Sequence, residues 1–196
     1  MCALNEVKGM VLIMNKLIAI VGMSGSGKSV ASDYLEKIGF NKIYFGGVVL
    51  SGVKKRGLEV NPENEKKVRE DLRKEHGMAA MAKLLLPEIE ESIKEHDTVL
   101  DGLYSWDEYV VLKDKFKDRL KLISIIVDKD IRYERVSQRV VRPLNREEIE
   151  KRDIAEIENL AKGGPIVMAD YCIMNNGDLE HYENRLKEIL EKIGDE

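Results

Sequence analysis

Residues 22–29 read Gly-Met-Ser-Gly-Ser-Gly-Lys-Ser, and no other stretch of the 196-residue chain restricts its fold so sharply. The spacing GxxxxGK[ST] belongs to a loop whose backbone N–H groups curl around phosphate, and such a loop works only between a buried strand and the first turn of a helix. Both neighbours are legible. Leu17 to Val21 is an unbroken apolar run, and Val30, Tyr34, Leu35 and Ile38 recur at helical spacing after the loop. In that setting Gly22, Met23, Ser24, Gly25, Ser26 and Gly27 form the cradle, and the N-terminus of the helix adds its positive end. Lys28 is placed to reach the β- and γ-phosphates of a nucleoside triphosphate, and Ser29 to ligate Mg²⁺.

The motifs of a guanine-nucleotide switch are absent from the sequence. A guanine switch needs DxxG after a strand and NKxD for the base. The chain has no DxxG, and its two Asn-Lys pairs, Asn15-Lys16 and Asn41-Lys42, lack the following Asp. ATP and Mg²⁺ are therefore the expected cofactors. The remaining chain is too short for a large mechanical ATPase but long enough for a small kinase.

Further apolar runs at 42–45, 98–100, 120–127 and 171–174 alternate with amphipathic segments of helical period, the pattern of βαβ units. Continuous rather than alternating strands, such as Leu-Ile-Ser-Ile-Ile-Val at 122–127, mark a parallel sheet covered on both faces. The fold class is α/β, doubly wound, with one domain over 14–196. The gap between the second and third strands is longer than one crossover needs, so 46–96 is expected to be a helical insert. Residues 1–13 precede a second Met, Met14, and read as an extension.

Charge and cysteine content narrow the setting. With a net charge of -4 and no aromatic-basic stripe, nothing recruits the chain to nucleic acid. Asn15 and Lys16 interrupt the apolar start, which argues against a membrane span. Cys2 and Cys172 are too far apart in sequence for a zinc knuckle or disulfide framework, so a reducing, cytoplasmic location is expected.

Asp101 ends a core strand, at the sheet edge where ligands of open α/β folds sit, and can serve the metal or orient an acceptor. It also has a merely structural alternative, capping the helix that begins near Trp106. Beyond the fourth strand Asp128 or Asp130 can cap a helix carrying Arg132, Arg135 and Arg139 on one face, with Arg142 next to Pro143. Arginines that close over a transferring phosphoryl group stabilise its spreading charge, and Arg139 and Arg142 fit a short lid over 139–145. Asn145 and Glu148 form a capping box for the next helix, where Arg146 and Arg152 are weaker candidates. Arg69, Arg73 and His76 share a helical face in the insert and are spaced to receive an acceptor's phosphate, although the nearby Glu70, Asp71 and Glu75 favour a solvated helix.

Four segments together give a family likeness: GMSGSGKS at 22–29, LDG at 100–102, the arginine-bearing stretch 135–142 and ADYCIMNNGDLE at 169–180. From Lys16 onward the chain resembles the P-loop nucleotide kinases and is similar to an uncharacterised archaeal group related to dephospho-CoA kinase and adenylate kinase. The resemblance implies strand order 2-3-1-4-5, an acceptor lobe after the second strand, a lid after the fourth, and Asn176 and Gly177 beside the adenine. It also exposes departures. Phe45-Gly46-Gly47-Val48 lacks the carboxylate of dephospho-CoA kinases, and Gly47, Leu50 and Tyr104 stand where adenylate kinases have acceptor-site residues. Two expectations follow: phosphoryl transfer from Mg-ATP to a small nucleotide- or cofactor-like acceptor, with Lys28, Asp101, Arg139 and Arg142 as catalytic residues and Ser29 and Asp101 at the metal, or an ATP-binding regulatory or ATPase protein without such an acceptor.

Overall fold

A computed structural model describes residues 15–195; the proposed extension 1–13 and Met14 lie outside them. Strand β1 (Leu17–Val21) is buried along its whole length, between β3 (Thr98–Asp101) and β4 (Leu120–Ile126). The outer strands are β2 (Asn41–Tyr44) and β5 (Tyr171–Met174), and all four pairings are parallel, in the order β2-β3-β1-β4-β5. The expected fold and strand order are thus the ones found.

Alternation along β1 divides the core in two. Leu17, Ala19 and Val21 point into one apolar layer with α2 (Gly46–Lys55), α4 (Ala80–Glu95) and α5 (Trp106–Phe116). Ile18 and Ile20 point into the opposite layer with α1 (Lys28–Lys37) and α9 (Leu179–Asp195). Each large side chain buried in this way stabilises the fold by about 1.5–3 kcal/mol, so a polar residue anywhere in β1 would disrupt a layer.

The insert is helical, as expected, but it is not all lobe. Helix α4 lies on the sheet as the crossover into β3, whereas α3 (Pro62–His76) stands on α2 and α4 with Val68 as its buried residue. Local signals bound α3 clearly: the Asn61 side chain accepts from Asn64 N at 2.9 Å, Pro62 opens the first turn, and Gly77 follows the last. Helix α6 (Lys129–Ser137) is joined by irregular chain to α7 (Arg146–Leu160), which starts on the expected Asn145/Glu148 capping box. A short α8 (Gly163–Val167) leads into β5.

Candidate active site

Five parallel strands deliver their carboxyl ends to one edge, and β1, flanked by neighbours that cross over in opposite directions, is where that edge opens. The loop after β1 is held by its carbonyls. Arg132 Nη1 donates to Ser24 O at 2.8 Å, Asn175 Nδ2 to Ser26 O at 2.9 Å, and the Tyr182 hydroxyl to Gly27 O at 3.0 Å. In a trans peptide the C=O and the following N–H point in opposite directions, so pinning these oxygens from behind turns the amides of Gly25, Gly27 and Lys28 the other way, as a concave nest for an anion. Gly25 and Gly27 have φ of 88° and 96°, and a Cβ on Gly27 would sit 2.5 Å from Asn175 Nδ2.

The pins are themselves secured. Arg132 engages both carboxylate oxygens of Asp153, a residue of α7, within a buried environment. This bidentate pair ties the loop, α6 and α7 into one block.

In front of the nest lies a cavity of about 360 Å³, bordered by Lys28, Ser29, Asp101, Arg139, Arg152 and Lys162. Four cations face a single carboxylate there. Lys28 donates to Met23 O at 2.8 Å, and burial, followed by the nearby Lys162 charge, lowers its pKa to about 7. Lys162 is 2% exposed, forms a 2.5 Å ion pair with Glu156, and lies 4.6 Å from the centre of the Tyr104 ring. Burial pulls its pKa down, against the opposing pull of Glu156. Asp101 accepts from the buried Ser32 hydroxyl at 3.1 Å, which fixes the carboxylate at the end of β3. The cap of α5 is Ser105 with Glu108 in a full capping box, so the structural alternative for Asp101 is set aside.

A second cavity, of about 420 Å³, opens between α2, α3 and α7 over an apolar floor that includes Phe45, Val49 and Met81. Tyr104 and Arg152 line both cavities and form the wall they share. Burial raises the Tyr104 phenol to about 12, so it stays protonated and able to donate.

The sequence-derived candidates separate in space. Ser24, Lys28, Ser29, Asp101 and Arg139 gather at the first cavity, joined by Arg152, Lys162 and Tyr104, while Gly25 and Gly27 line a smaller recess with Arg135 that shares Lys28, Ser29 and Arg139. The common face expected for Arg132, Arg135 and Arg139 splits by depth: Arg132 is buried against Asp153, Arg135 donates to Asn175 O at 2.8 Å, and of the three only Arg139 borders the cavity. Asp128 occupies the cap position of α6 without a side-chain cap bond. Arg142 crosses to Glu65 at 3.1 Å and lines the second cavity, not the first. Asn176 and Gly177 line neither; the Asn176 side chain accepts from Asp128 N at 2.9 Å, while its neighbour Asn175 reaches the phosphate loop. Lys162 had no sequence signal, because its significance comes only from Glu156 and Tyr104.

A family model described as an AAA domain matches residues 18–156. The UPF0200 protein of Thermococcus onnurineus is 36% identical over 181 residues, covering 90% of this chain and 97% of that protein. Among solved structures, TT1252 from Thermus thermophilus superposes with a TM-score of 0.60 at 20% identity, covering 91% of this chain and 98% of that one. Shikimate kinase from Acinetobacter baumannii, in complex with shikimate, gives 0.58 at 18% identity, covering 92% and 94%. These structural likenesses establish the P-loop kinase fold. No helix among the described residues is long and apolar enough to cross a membrane.

Proposed function

The chain belongs to the UPF0200 family, and on that footing we propose that it transfers the γ-phosphoryl group of Mg-ATP to a small acceptor held in the second cavity. The observation that carries this reading is the shared wall: a phosphate cavity and an acceptor-sized cavity meet at Tyr104 and Arg152, next to the carboxylate of Asp101. Cavities of this volume are typical of small-molecule sites.

The residues fit the cofactor. The inward amides of the loop and Lys28 suit the β- and γ-phosphates, and the Ser29 hydroxyl and Asp101 carboxylate are hard oxygen donors suited to Mg²⁺, directly or through water. Mg-ATP supplies the phosphoryl group and a divalent charge on its oxygens. Arg139, Arg152 and Lys162 surround the group in transit, Lys162 from a buried position and the two arginines from the exposed rim, and their charge meets the charge that spreads over it. An acceptor hydroxyl oxygen bonds to phosphorus as the bond from phosphorus to the β–γ bridging oxygen breaks. Asp101 takes the hydroxyl proton, leaving ADP and the phosphorylated acceptor.

The test is ADP release from Mg-ATP in the presence of nucleoside monophosphates, dephospho-CoA, hydroxy acids, sugars and water alone. Stimulation by one acceptor, lost in Lys28→Ala, is the expected result. Full turnover without the Lys28 ammonium would end this mechanism. The alternative, a regulatory ATP binder, draws on Leu50 and Tyr104 at the acceptor end and predicts tight ATP binding with no acceptor effect. A second cavity bordered by arginines weighs against it.

A further inference from the structure

The balance of charge in the second cavity says more than that a site exists. Its border carries four guanidiniums, Arg69, Arg73, Arg142 and Arg152, and three carboxylates, Glu65, Glu108 and Glu156. Every carboxylate is already engaged. Glu65 pairs with Arg142, and Glu156 with Arg152 at 3.0 Å and with Lys162. Glu108 is buried and accepts from the backbone N–H groups of Tyr104 and Ser105, each at 3.1 Å.

Arg69 and Arg73 remain. They are one turn apart on α3, both half-buried, and neither has a hydrogen bond or salt bridge among the described residues. The Nε of Arg73 is fully buried with no partner. Arg73 feels the charges of Glu108, Glu70 and Asp107, but none of them is within ion-pair distance, and a half-buried guanidinium left without a directly bonded anion is costly. Folding gains nothing from that arrangement. A bound anion with two or three oxygens would satisfy both forks at once.

We infer that the acceptor is itself an anion, a phosphate monoester or a carboxylate, whose charged group is held by Arg69 and Arg73 while its hydroxyl is presented at the Tyr104–Arg152 wall. The inference rests on the phosphotransferase reading for the hydroxyl, but the anion subsite stands on its own geometry. It also accounts for the apolar floor at Phe45, Val49 and Met81, which receives the carbon frame between the two polar ends.

The experiment titrates glycerol 3-phosphate, gluconate and their neutral counterparts, glycerol and glucose, into the full-length protein by calorimetry. Saturating Mg-ADP keeps the probes out of the phosphate loop. One or both anions are expected to bind while the neutral polyols do not, and the anion that binds identifies the group as phosphate or carboxylate. Arg69→Gln and Arg73→Gln should each weaken that binding about tenfold or more, with ADP affinity held within about twofold. Failure of both anions to bind, or equal binding to the parent and the Arg69→Gln/Arg73→Gln double variant, overturns the inference. Failure of ADP to bind counts against the proposed function instead. The anion titrations then proceed in the nucleotide-free protein, where binding that is lost in the double variant supports the anion subsite and binding that is unchanged or absent overturns it.

Discussion

Replacing Asp153 by Ala isolates the block that holds the phosphate loop from behind. The Arg132 and Asp153 side chains are 9% and 10% exposed, and among the described residues the only hydrogen-bond acceptor Arg132 has apart from Asp153 is Ser24 O. Removing the carboxylate leaves a buried guanidinium with one neutral acceptor, a change that costs about 3–5 kcal/mol. In a domain of this size each kcal/mol lowers the melting temperature by about 2–4 °C, so Asp153→Ala should melt about 6–20 °C below the parent. Calorimetric melts, with urea titrations to confirm the free-energy change, provide the measurement. The double variant Arg132→Met/Asp153→Leu separates stability from organisation. With neither charge present it should regain most of the lost stability, because apolar replacement of a buried pair is often neutral or better. It should still bind Mg-ADP more weakly than the parent, since nothing then turns Ser24 O outward. A loss below about 1 kcal/mol in the single variant, or parental ADP affinity in a stable double variant, would refute the reasoning.

Other expectations address separate parts of the site. Because Lys28 titrates near 7 when free, and a bound polyphosphate favours its charged form, ADP binding at pH 8 should take up nearly one proton. Affinity should then fall as pH rises above 7, by up to about tenfold per unit; calorimetry in buffers of different ionisation enthalpy reads the uptake, and zero uptake contradicts the assignment. Lys162→Met should lower kcat by about 10²–10³-fold with a smaller effect on acceptor KM, the signature of a charge used mainly in the transition state. Unchanged kcat would remove Lys162 from the mechanism. Gly27→Ala places a side chain at a left-handed position against Asn175, so a stability loss of about 1–3 kcal/mol and a larger loss of ADP affinity are expected from melts and titrations. A variant with parental melting and binding would show that the loop is softer than its hydrogen bonds imply.

Much of this molecule is written locally. The glycine spacing of 22–29, the unbroken apolar strands and the Asn61 and Asn145 caps are set within a few residues of themselves, so sequence spacing exposes them, and Asp101 shows by its place at a strand end although its partner Ser32 lies 69 residues away. What spacing could not sort was the arginines. Arg132, Arg135 and Arg139 share one helical stripe, yet their partners are 21 and 40 residues away for the first two, in α7 and at the end of β5. Arg142 is claimed by Glu65, 77 residues earlier. Lys162 and Asn175 matter for the same reason: each depends on a side chain or carbonyl that only the folded chain brings near. A stripe of like charges on a helix reports a face, while depth of burial and distant carboxylates decide what that face does.

The pin on Gly27 also sets an order of events in synthesis. Its donor, Tyr182, lies 155 residues further along the chain, in the last helix. At translation rates of about 5–20 residues per second, roughly 8–30 s separate the making of the loop from the making of the residue that completes its support. Asn175, the pin on Ser26, arrives only shortly before. During that interval the glycine-rich segment exists with its amides unaligned, and a nascent chain would carry the recognisable motif without its affinity. The phosphate loop is thus synthesised well before the donors that make it competent.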